Sequence, residues 1–105
     1  MLDFKLLTVI LLIVLAVLLA IDWRQTLVIA QPGRWTEQNP VARWFIDRYG
    51  RNGVHLCIAL AYLAHALCVY LLIGWRADAA ALWAGGWACV ELWATVHNYR
   101  AGIRF

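Results

Sequence analysis

Residues 6–21, LLTVILLIVLAVLLAI, carry one hydroxyl and no charge, a length of unbroken apolar sequence that only a bilayer or a deep core can accommodate. A second run, VHLCIALAYLAHALCVYLLIG (54–74), has about the 20-residue length that a hydrocarbon core requires. A third, 79–99, is richer in small and aromatic residues and is interrupted by Glu91. Of 105 residues, 65% are hydrophobic and only 14% charged, and the mean hydropathy is +0.70, so little polar sequence is left for a water-soluble or nucleotide-binding domain. We therefore expect an all-α membrane protein, one domain over 1–105, with spans at about 4–30, 54–74 and 79–99. Membrane lipid is an expected partner and nucleic acid is not.

Lys5 precedes the first run and alanines end it, as in a secretory signal. The run is longer than a typical signal core, however, and passes into IDWRQTLVIAQ without a small-x-small cleavage site, which points to an uncleaved anchor. The formal charge is +3, with Lys5 and Arg76 on one side of the membrane and Arg24, Arg34, Arg43, Arg48, Arg51, Arg100 and Arg104 on the other. The positive-inside rule then puts the 23–53 segment and the C-terminus in the cytoplasm and the N-terminus outside. That basic face favours anionic headgroups. Cys57, Cys68 and Cys89 fall in the spans with no C-x-x-C spacing, and are expected as small buried thiols rather than as a disulfide or zinc framework.

The first helix is expected to run past Asp22 through LVIA to a stop at Gln31, Pro32 and Gly33, with Asp22, Gln25 and Thr26 on one face. Between the first two spans lies WTEQNPVARWF, in which Asn39 and Pro40 form a helix-start signal. The helix so begun, about 40–50, sets Val41, Trp44 and Phe45 against Arg43, Asp47 and Arg48, the pattern of an amphipathic helix lying in the interface. Gly50 and Gly53 flank the turn into the second span, and Glu37 is not explained by capping. GWRAD is a short turn that makes the second and third spans antiparallel, with Asp78 as the expected N-cap. Ala80, Ala84 and Ala88, with Gly85 and Gly86 beside them, form a face suited to close helix packing, whereas Leu11 is expected to face lipid.

Levelling residues by helical rise brings Asp22, His55, His97 and Asn98 together at the cytoplasmic end, where the loop delivers Glu37. Within the membrane, Tyr62, His65, Glu91, Thr95 and Asn98 form a polar cluster, with Tyr62 and His65 as the expected partners of Glu91. Several chemistries compete for these groups. Glu37, Asn39 and Pro40 can close a loop in a purely structural network. Asp22, Glu37, His55 and His97 can ligate a metal, or act as acid and base on a lipid headgroup. His55 and His97 can ligate haem if both rings meet in one gap. No specific motif selects among them, and the sequence requires no cofactor.

DWRQT (22–26), EQNP (37–40) and HNYRAGIRF (97–105) together resemble a family of small uncharacterised three-span membrane proteins of bacteria and prophages, patterned D-W-x-Q-T, E-x-N-P and a terminal Asn followed by Gly-Ile. The stretch VARWFIDRYG departs from the Gly-containing loop of phage-type members. The resemblance implies a bacterial inner-membrane location, the three-span architecture and importance for Asp22, Glu37, Asn39 and Asn98, and it carries no reaction. The expected function is that of a non-enzymatic integral membrane protein associating with itself or with a larger membrane partner. The alternatives are a metal-dependent or acid–base enzyme acting on lipid, and a holin-like lesion former.

Overall fold

The computed structural model describes residues 3–31, 37 and 39–103. Pro32, Gly33, Arg34 and Arg104, on which part of the stop-signal and charge readings rested, lie outside them. Four helices follow in order: α1 (Phe4–Ile29), α2 (Pro40–Tyr49), α3 (Arg51–Trp75) and α4 (Ala77–Arg100). The first, third and fourth are long and apolar enough to cross a membrane, and α2 is the short helix between the first and second spans. The bundle measures 51 × 27 × 17 Å, and its apolar side chains mostly face outward, as a lipid-solvated chain requires.

The main seam joins the parallel helices α1 and α4. On α1 the inward residues are Thr8, Leu12, Leu15, Leu19, Asp22, Thr26 and Ile29, alternating four and three apart, the period of a coiled-coil seam. Ala80, Ala84 and Ala88 are buried opposite, so the small-residue face of α4 is consumed inside the protomer rather than left for a second copy. Leu11 does not face lipid alone: it is half-buried, and a Cβ built at Gly85 would stand 3.3 Å from its Cδ1. Its neighbour is the small surface of α4, which admits a leucine from the side.

Two further local readings are corrected. Asp78 lies inside the first turn of α4 rather than capping it; the cap position is Arg76, whose guanidinium pairs with the Asp78 carboxylate at 2.7 Å. An arginine within reach draws the carboxylate back along the turn, where it also accepts the Ala79 N–H. The thiols are not buried either: Cys57 and Cys68 are half-buried and Cys89 is exposed, because the close approaches are made by alanines and glycine.

At the end of the bundle carrying exposed Arg24, Arg43, Arg48, Arg51 and Arg100, the chain turns from α2 directly into α3 at Gly50. Gly53 lets the two helices touch, since a Cβ there would overlap the Phe45 carbonyl. Val41, Trp44 and Tyr49 stay exposed while Ala42 is buried, and Arg48 lies 5.4 Å over the Trp44 ring. A short helix with one small inward residue and exposed aromatics suits an interfacial position.

Candidate functional site

Glu37, Asn39 and Pro40 have a local geometry that explains their order. The Asn39 side-chain oxygen accepts the N–H groups of Val41 and Ala42 at 3.0 and 3.4 Å, capping α2, while Pro40 fills the first helical position. One residue pair earlier, Glu37 Oε1 accepts the Asn39 N–H at 3.0 Å. Glu37 thus fixes the residue that caps the helix, and the cap aims α2 across the end of the bundle.

DWRQT likewise divides its work. Gln25 is 1% exposed and joins α1 to α4 twice: its Nε2 donates to the Thr95 carbonyl at 3.0 Å and its Oε1 accepts from Asn98 Nδ2 at 3.2 Å. Thr26 donates to Asp22 Oδ1 at 3.2 Å, and the Asp22 carboxyl lies close to Glu91 across the α1–α4 seam. Glu91 Oε2 is the one buried side-chain polar atom among the described residues without a hydrogen-bond partner.

Asp22 therefore stands level with Glu91, six residues or about 9 Å from the expected level of His97. The α3–α4 register follows from a short turn, but no short turn ties α1 to α4. Side-chain packing and Gln25 set that register instead.

The intramembrane polar residues separate into distinct contacts. Tyr62 donates to the Ala16 carbonyl at 2.7 Å, and His65 Nδ1 accepts from Trp83 Nε1 at 3.2 Å. Glu91 lies close to Asp22 and within electrostatic reach of Tyr62, while Thr95 and Asn98 belong to the Gln25 clamp. Each histidine is associated with a tryptophan that the sequence reading had not paired with it. His55 Nδ1 accepts from Trp23 Nε1 at 3.0 Å, and His97 stacks on Trp93 with centroids 5.0 Å apart and planes 9° from parallel. The Trp93–His97 pair was visible as a four-residue helical spacing; the other pairs depend on packing between helices.

A cleft of about 900 Å³ opens among α1, α3 and α4 at the basic end, with Ala42 of α2 and Ile103 at its edge. The α1–α4 seam closes one side and the Trp23–His55 and Tyr62–Ala16 bonds pin α1 to α3, so the gap lies between α3 and α4. Leu19, Val54, Ile58, Ala61, Trp87 and Val90 give it apolar walls. Asp22 and Glu91 line its interior, and Glu37, Asn39, His97 and Asn98 line it at the interfacial level. Of the four candidate catalytic or metal-binding residues, Asp22, Glu37 and His97 share this cleft and His55 lies outside its lining. Among the described residues, no three His, Cys, Asp or Glu side chains converge closely enough to hold a metal ion.

The terminal Gly-Ile also has a role here. Gly102 has φ 96°, its N–H donates to the Tyr99 carbonyl, and the Ile103 N–H donates to the Asn98 carbonyl, the paired bonds of a Schellman cap. The turn sends Ile103, 4% exposed, back into the edge of the cleft.

No protein-family model, curated protein or solved structure matches this chain.

Proposed function

We propose that the protein is a non-enzymatic integral membrane protein that takes an amphiphile from the surrounding leaflet into the cleft between α3 and α4. The observation that carries this reading is the cleft itself: about 900 Å³, within the range of small-molecule sites, apolar along its walls and polar both inside and at the interfacial level. An acyl chain fits the walls while its headgroup meets Glu37, Asn39, His97 and Asn98. Association through the Ala80, Ala84 and Ala88 face receives less support, because those residues are already buried against the same chain.

Ala61→Trp fills the cleft, whereas Leu63→Trp changes a side chain that is 64% exposed. Native mass spectrometry after purification in mild detergent is expected to find a retained lipid-sized adduct on the wild-type and Leu63→Trp chains and little on Ala61→Trp. Equal retention by all three would identify the adducts as peripheral lipid and contradict the reading.

The distribution of basic residues supports an orientation with the cleft in the cytoplasmic leaflet, α1 beginning outside and α4 ending inside, and the resemblance to bacterial three-span proteins supports the inner membrane. A cytoplasm-dependent reporter fused after α4 is expected to be active. Activity of a periplasm-dependent reporter at the same position would reverse the assignment.

A further inference from the structure

We infer that the amphiphile accepted by this cleft carries a second polar group, an uncharged hydroxyl part-way along its chain, and that Glu91 binds this hydroxyl below the level of the headgroup. This rests on the amphiphile-binding reading above and specifies its ligand class. The cleft has two polar levels. Glu37, Asn39, His97 and Asn98 line it at the interface, and Glu91 lines it seven residues before Asn98 on α4, about 10 Å further into the membrane. The neighbours of Glu91 along the α4 wall are Trp87, Val90 and Ala94, and Leu19, Ile58 and Ala61 line the same space from α1 and α3. Asp22 reaches this level from α1, with its Oδ1 engaged by the Thr26 hydroxyl.

The second observation is Glu91 Oε2, which is enclosed and has no hydrogen-bond partner. Leaving such an oxygen unpaired among apolar side chains is costly. A plain methylene chain descending from the interface passes that level without relieving the cost, because it has nothing to donate or accept. A hydroxyl relieves it whatever the protonation of the carboxyl, since it donates to a carboxylate oxygen and accepts from a carboxylic acid. The terminal torsion of a glutamate is soft, so a turn of the carboxyl presents that oxygen to the chain.

The hydroxyl belongs in the middle of the chain because apolar space lies on both sides of Glu91. Towards the interface the walls include Val54 and Ala94. In the other direction, an apolar groove of about 520 Å³ lined by Leu72, Leu82, Trp83 and Gly86 shares Trp87 and Val90 with the cleft and continues the path of a tail. The pattern required of the ligand is a polar head, an apolar stretch of about 10 Å, a hydroxyl and an apolar tail.

The test uses the full chain in nanodiscs, with empty nanodiscs as the baseline. Three monoacylglycerols of one chain length are titrated: a plain chain, one hydroxylated mid-chain and one hydroxylated beside the ester carbonyl. The wild type is expected to bind the mid-chain form roughly tenfold tighter than either of the others, the worth of one enclosed hydrogen bond. Glu91→Leu keeps the bulk without the oxygens, and is expected to bind all three saturably and alike. Should Glu91→Leu fail to fold, the wild-type series decides, because two of the probes differ only in the position of the hydroxyl. Wild-type affinity for the mid-chain form no greater than for either other probe, or a preference that survives in Glu91→Leu, overturns the hydroxyl assignment and leaves amphiphile binding intact. Saturable binding of none of the three, or binding of all three that persists unchanged in Ala61→Trp, overturns the cleft reading and this inference with it.

Discussion

Gln25 does more to fix the register of this bundle than any other polar side chain described. An uncharged side chain that is 1% exposed and bonded to both the Thr95 carbonyl and Asn98 Nδ2 takes two bonds between α1 and α4 with it when it is removed. Gln25→Leu keeps the bulk but strips the bonds, and is expected to destabilise the bundle by about 1–2 kcal/mol, as read from unfolding in mixed micelles. Wild-type stability in that variant would mean that the leucine seam alone sets the register. The shared face of Asp22, Gln25 and Thr26 was legible from their spacing, and so was the capping role of Asn39 and Pro40. What spacing does not reveal is which residue of α4 each one meets. Asp22 was expected near His97 and meets Glu91, because depth along a helix is counted from a turn and α1 has no short turn to α4. Glu37 was expected over the histidines, and it lines the same cleft as His97 while also accepting the Asn39 N–H two residues away. Side-chain to backbone bonds of that range depend on loop geometry, which periodicity does not carry.

Helix bounds were the most legible feature, since charge-free runs of bilayer length leave little choice, and each of the four helices begins and ends within three residues of its expected limit. The alanine face was equally visible; its partner was not. Small residues at four-residue intervals mark a close contact without stating whether the contacting helix belongs to the same chain. Here it is α1, with Ala80 and Ala84 fully enclosed. Ala84→Leu is therefore expected to weaken the fold of the single chain by about 1–3 kcal/mol through overpacking, independently of protein concentration. Leu82→Ala, at a side chain 77% exposed, is expected to change little. A loss of stability in Ala84→Leu that appears only at concentrations where the wild type self-associates would move that face to an interface between copies.

Taken together, the helices form a tight pair, α1 with α4, against which α3 is held at fewer points and α2 lies as an interfacial strap. The asymmetry creates the cleft: close packing is used up on one seam, and the gap left between α3 and α4 is lined by apolar residues with the Asp22–Glu91 pair inside. The cleft as a whole was not legible in the sequence, although most of its polar residues were, because a void is a property of how helices diverge rather than of any one helix. Its occupancy by lipid is measured most directly with a phospholipid bearing a diazirine on its acyl chain, crosslinked to the full chain in proteoliposomes and mapped by peptide mass spectrometry. Adducts on Val90 and Ala94 are expected in the wild type and are expected to disappear in the Ala61→Trp chain, while adducts on Leu63 persist; adducts confined to the outward faces, with none on the cleft residues of the wild type, would contradict occupancy of the cleft.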